Sequence, residues 1–119
     1  MQHGGNHIAL AIVRGISELS SLAIADRQKP TVVVEHVSST DWASATFIGA
    51  THEIALQIVG NDDAVRAALA AISAGLPDHE FTIAGHIVAE IAVLPGCEAA
   101  VADHMISKSL TVNALTISD

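Results

Sequence analysis

The sequence predicts a two-layer α+β domain in which a four-stranded antiparallel sheet carries two amphipathic helices on one face, in the order αββαββ. Three observations predict it. Two segments, Ile8 to Ala23 and Val65 to Leu76, repeat apolar residues at spacings of three and four. The segments after each helix are long runs of period two, rich in β-branched residues. The stretches between them gather Gly, Pro, Asn and Asp, which punctuate rather than continue regular structure.

Met1 to Asn6, with Gly4 and Gly5 and no apolar pattern, reads as a flexible arm that ends in Asn6 as a helix N-cap. The first helix then places Ile8, Ile12, Ile16, Leu19 and Ala23 on one stripe and ends near Asp26, before the polar turn that leads to Pro30. Thr31 to Ser38 is a strand, and Ser38 to Ser44 a loop that holds Trp42. Thr46 to Val59 is a second strand, with Ile48, Ala50, His52, Ile54, Leu56 and Ile58 on one face. Its other face carries Phe47, Gly49, Thr51, Glu53, Ala55, Gln57 and Val59.

Gly60-Asn61-Asp62-Asp63 supplies a turn, an N-cap and two carboxylates at the positive end of the second helix, which Gly75 and Pro77 terminate. A third strand is expected over Glu80 to Leu94, with Phe81, Ile83, Gly85, Ile87, Ala89, Ile91 and Val93 facing the helices. Thr82, Ala84, His86, Val88, Glu90 and Ala92 face away. Pro95-Gly96 reads as a turn, Cys97 to Lys108 as a less regular stretch with a short helical turn, and Leu110 to Ser118 as the last strand. This order of elements resembles a ferredoxin-like split βαβ arrangement with one strand moved from the start of the chain to its end.

A chain of 119 residues fits a single domain. Half of the residues are hydrophobic but only 3% are aromatic, so the core is built from Ala, Val, Ile and Leu. The same scarcity argues against an aromatic platform for bases or sugars. Thirteen acidic residues against five basic ones give a net charge of −8, which disfavours a nucleic-acid partner. The single Cys97 fits a reducing, cytoplasmic setting, and no apolar stretch reaches the roughly 18 residues of a membrane span.

The face turned away from the helices is poor in long charged residues, since Phe47, Gly49, Ala55, Ala84, Val88 and Ala92 are assigned to it. Such a surface fits contact with a second copy. A homodimer is therefore expected, with Phe47, Gly49, Glu53 and Val88 at the interface.

Seven histidines raise the question of a metal. Adjacent pairs such as Glu35-His36 and His52-Glu53 point to opposite faces of a strand. His86 and Glu90 share a face but stand about 13 Å apart at some 3.3 Å per residue. No metal site or other cofactor is expected. Glu53 and His86 could meet across adjacent strands, with Glu90 near them, as a general acid–base pair or as an ordinary cross-strand polar contact. His52 reads as a core histidine bonded to a backbone carbonyl, Cys97 as an inert thiol, and Trp42 as an anchor of its loop or a contact for a partner or ligand.

Two functions follow. The first is a noncatalytic, self-associating interaction or small-ligand-binding domain whose contact surface includes Phe47, Gly49, Glu53, His86 and Glu90. The alternative is a small metal-dependent hydrolase or isomerase that uses Glu53, His86 and Glu90 in a pocket completed by a partner subunit. The chain carries no nucleophile elbow, phosphate loop or dinucleotide fingerprint.

Overall fold

The structure, a computed structural model, describes residues 3–22 and 29–118 of the chain, with side chains over 7–20 and 29–118. Helix α1 (His3–Leu22) precedes strands β1 (Thr31–Ala43) and β2 (Ile48–Asn61). Helix α2 (Asp62–Gly75) follows, then one turn of 3-10 helix (Leu76–Asp78) and strands β3 (His86–Ala102) and β4 (Met105–Ser118). The sheet order is β1-β2-β4-β3, antiparallel throughout. β2 and β3 both run antiparallel to β4, which lies between them, so β2, α2 and β3 form a split βαβ unit. The element order αββαββ and the two-layer architecture are those the sequence predicts.

The local chemistry explains the helices. Asn61 caps α2, its side chain accepting the Asp63 N–H at 3.0 Å, and Asp62 and Asp63 place negative charge in the first turn. The Asp62 N–H is taken up by the carbonyl of His104 at 2.9 Å, which ties the start of α2 to the β3–β4 hairpin. On α1, Ile8, Ile12 and Ile16 are buried as the spacing requires. The helix begins at His3, so Gly4 to Asn6 lie within it and Asn6 is not its cap; Met1 and Gln2 lie outside the described residues. The expected end near Asp26 lies outside them too.

The helices pack chiefly over the central pair of strands. Ile54, Leu56 and Ile58 of β2 and Leu110, Val112 and Ala114 of β4 meet Ile8, Ile12, Ile16, Val65, Ile72 and Leu76 in one core. Burying each Ile or Leu contributes about 1.5–3 kcal/mol over exposure. We call the helix-covered side of the sheet the inner face and the other the outer face.

Four differences from the sequence reading bear on the site. β1 continues through Ala43, so Trp42 is a strand residue, and the loop is only Ser44 to Phe47. β3 starts at His86, because Ile83 to His86 close a tight turn in which Gly85 has φ 77, a conformation that favours glycine. β3 then runs through Pro95-Gly96 and Cys97 to Ala102 as continuous strand, with no helical turn, and accommodates Pro95 in an irregularity between Pro95 and Glu98. Ser109 holds that irregularity, accepting the Cys97 N–H at 2.6 Å and donating to the Cys97 carbonyl at 3.2 Å.

The fourth difference is a bulge between Val88 and Glu90, which inverts the alternation at the start of β3. Val88 lies opposite the buried Thr116 and packs against the core, while Ile87 lies opposite Ile117 on the outer face and is 54% exposed. His86 and Val88 therefore face inward, not outward as the simple period of two requires.

The two faces make a direct test. Leu56 is fully buried on the inner face, whereas Ile87 on the outer face is 54% exposed. Leu56→Ala is expected to cost about 2–5 kcal/mol, and Ile87→Ala no more than about 0.5 kcal/mol, in urea unfolding. Equal costs would mean that the inner face has been misassigned.

Candidate functional site

Register places outer-face side chains in rows that cross all four strands. At one end the row is Trp42, Gly49, Ile117 and Ile87. Gly49 is needed there, because a Cβ at this position would run into the Thr116 backbone carbonyl and the Trp42 ring. The next row is Thr40, Thr51, Leu115 and Glu90, and the one after it Ser38, Glu53, Asn113 and Ala92. These two rows line an open groove of about 410 Å³. Further along, Gln57 donates to Glu35 at 2.8 Å and accepts from the Ser107 hydroxyl, a polar ladder across β1, β2 and β4.

The candidate residues separate as follows. Glu53 and Glu90 both line the groove. With β4 between their strands and a row of offset, their backbones stand about 12 Å apart. His86 is on the inner face, with its Nδ1 buried and without a hydrogen-bond partner. The sheet thus lies between His86 and the two carboxylates, and the expected Glu53–His86 pair does not form. No group of three or more His, Cys, Asp or Glu side chains among the described residues could hold a metal ion. Of the expected interface residues, Gly49 and Glu53 are on the outer face, Phe47 is 54% exposed in the β1–β2 loop, and Val88 belongs to the core side. Cys97 is exposed. Trp42 is half-buried over Gly49, with its indole N–H buried and unpartnered.

Sequence reasoning missed a polar relay on the inner face. His52 is 2% exposed, and its Nδ1 lies 2.8 Å from Ser39 Oγ and its Nε2 2.9 Å from Thr116 Oγ1. The Thr116 hydroxyl donates its one proton to the Ala50 carbonyl at 3.3 Å. It must therefore accept from Nε2–H, which leaves Nδ1 to accept from Ser39. His52 is held neutral in that tautomer and links β1, β2 and β4. Its pKa lies below the ordinary 6.5, first because burial penalises the cation and second because His86 is near; Asp41 opposes both. The signal in the sequence was His52 in an otherwise aliphatic row.

No family model and no curated protein sequence matches this chain. Its fold has a counterpart among solved structures. A chain in the virion of a native gene transfer agent particle superposes with a TM-score of 0.71, covering 99% of this chain and 100% of that one, at 14% identity. At that identity the likeness is one of fold. No helix among the described residues is long and apolar enough to cross a membrane.

The His52 relay has a pH consequence. The folded pKa is depressed, so the stability from neutral His52 is complete above about 6.5, the unfolded value, and is lost as pH falls below it. Wild type is expected to lose more thermal stability between pH 7 and pH 5 than His52→Gln does. At pH 7, Thr116→Val leaves the His52 N–H unpaired and is expected to cost about 1–3 kcal/mol. A pH profile identical in wild type and His52→Gln would rule out this role for His52.

Proposed function

We propose that this chain is a structural subunit that assembles with further copies of itself, and that the outer face of its sheet is a contact surface. One observation carries the reading: among the described residues, the helices cover only the inner face, and nothing is laid over the other side of the four strands. Antiparallel sheets do expose one face to water, but such faces are polar. This one offers Trp42, Ile117, Ile87, Leu115 and Leu94 together with small Gly49, Ala55 and Ala92, and exposed Phe47 adjoins it. An apolar row such as Trp42, Gly49, Ile117 and Ile87, left uncovered, fits a contact site. The occurrence of the same fold in a virion particle supports a structural, assembling role.

The groove favours a second use, since its volume falls within the range of small-molecule sites and Ser38, Thr40, Thr51, Glu53, Glu90 and Asn113 line it. A hydrolase or isomerase built on Glu53, His86 and Glu90 has no such support, because its acid–base pair is divided by the sheet.

Assembly is tested by native mass spectrometry of wild type and of Ala92→Lys. Ala92 is exposed on edge strand β3 in a row that lines the groove, so the new ammonium is expected to leave the melting temperature nearly unchanged and to shift assembled species toward monomer. Wild-type protein that stays monomeric at tens of micromolar would refute the reading. A wild-type monomer that carries added small-molecule mass would favour the groove as a ligand site.

A further inference from the structure

The charges on the outer face bear on how a second copy can meet it. Glu35, Glu53 and Glu90 project from it, and among the described residues it bears no Lys or Arg. Two copies stacked outer face to outer face about a twofold axis would set these carboxylates against one another with no cation between them. Desolvating like charges in this way opposes binding. A partner surface that fits this face must bring positive charge.

The chain has five basic residues from which to supply it. Arg66 is held by Asp62 at 3.8 Å and Glu98 at 3.3 Å. Lys108 lies opposite Glu98 and Ile58 on the inner side of the sheet. Lys29 has an interaction of its own, and Arg27 lies outside the described residues. Arg14 is exposed on α1 and forms no ion pair with a described residue. One turn before it stands Leu10, 51% exposed, and both lie on the side of the helix opposite the buried Ile8, Ile12 and Ile16.

We infer that the outer sheet face of one copy receives the exposed strip of α1 from another, with Arg14 entering the groove between Glu53 and Glu90. The inference rests on the assembly reading above and specifies its contact. A guanidinium has five N–H donors in a planar fork, and the groove offers acceptors on two sides of such a group. Glu53 and Glu90 supply charge from β2 and β3, and Thr40, Thr51 and Asn113 supply neutral oxygens around them. Leu10 then lies toward the apolar part of the face, where Leu115 and Ile87 are exposed or half-buried. The two surfaces in this contact differ, so it is heterologous. The pair keeps one free surface of each kind, one on each copy, and assembly is not limited to the expected dimer.

Charge reversal tests this directly, because all three residues are exposed and none belongs to the core. Arg14→Glu alone, and the double variant Glu53→Lys with Glu90→Lys alone, are each expected to weaken self-association about tenfold or more in native mass spectrometry and analytical ultracentrifugation. Circular dichroism melts establish that both proteins remain folded. Mixed in equal amounts, the two variants are expected to assemble as wild type does. Contacts between the two variants then pair either Arg14 with the native carboxylates or the carboxylate introduced on α1 with the new lysines. Assembled wild type that is insensitive to Arg14→Glu, or folded variants that fail to assemble on mixing, would overturn this contact while leaving self-assembly standing. Monomeric wild type would overturn the assembly reading itself.

Discussion

The pairing of β2 with β4 is the constraint on which the rest of the molecule depends. These strands are far apart in sequence, and their register runs unbroken from Gly49 opposite Ile117 to Asn61 opposite Met105. Closing so long a loop costs chain entropy, which only a large gain on burial can offset. That gain comes from the paired rows Ile54–Val112 and Leu56–Leu110 and from the helices laid over them. A slip of one residue would turn every one of these side chains to the outer face, so the aliphatic inner row fixes the register. β1 and β3 can then add at the edges, where they tolerate bulges at Glu35 and Ala89 that the central pair does not contain.

Those differences explain what the sequence revealed and what it concealed. α2 was legible because Asn61, two acidic residues, a clean apolar stripe and Gly75-Pro77 all point to the same element. β2 and the Leu110 to Ser118 part of β4 were legible because strands covered on one face must alternate, whereas the start of β4 at Met105, in the stretch read as irregular, was not. β3 was not. As an edge strand it is free to bulge, and one extra residue at Ala89 breaks the period on which the assignment of His86 and Val88 depended. Pro95-Gly96 has the composition of a turn, yet an edge strand can hold Pro at an irregularity, and here Ser109 supplies the bonds that keep the strand extended. The groove was half legible: period two put Glu53 and Glu90 on the same face, but only the strand order brings them to one depression.

The end of the sheet that carries Trp42 inverts the usual arrangement of the two faces. Around Ile54 and Leu56 the inner face is aliphatic, and the outer face offers Glu53, Gln57, Asn113, Thr111 and Ser109. Around His52 the inner face becomes polar, with His52, Ser39 and Thr116 joined in a relay that satisfies each of them. The outer face there is apolar, with Trp42, Ile117 and Ile87 in one row. The His52 relay is tolerable there because its own hydrogen bonds are made within the chain. An apolar outer end gains nothing in the isolated chain, since only something laid over it removes that surface from water.

This inversion makes assembly a stronger reading than catalysis. An active site requires groups of different chemistry to converge, and here the sheet keeps His52 and His86 on one side and Glu53 and Glu90 on the other. A contact surface requires apolar area for binding and a few charges for choosing a partner. The outer face has both, in adjacent rows. The carboxylates are all of one sign, so they select against the same face of another copy and in favour of a surface that brings a cation. An apolar row favours contact while a charged row limits which contact forms, and the fold that produces both is a single layer of strands with helices on one side only.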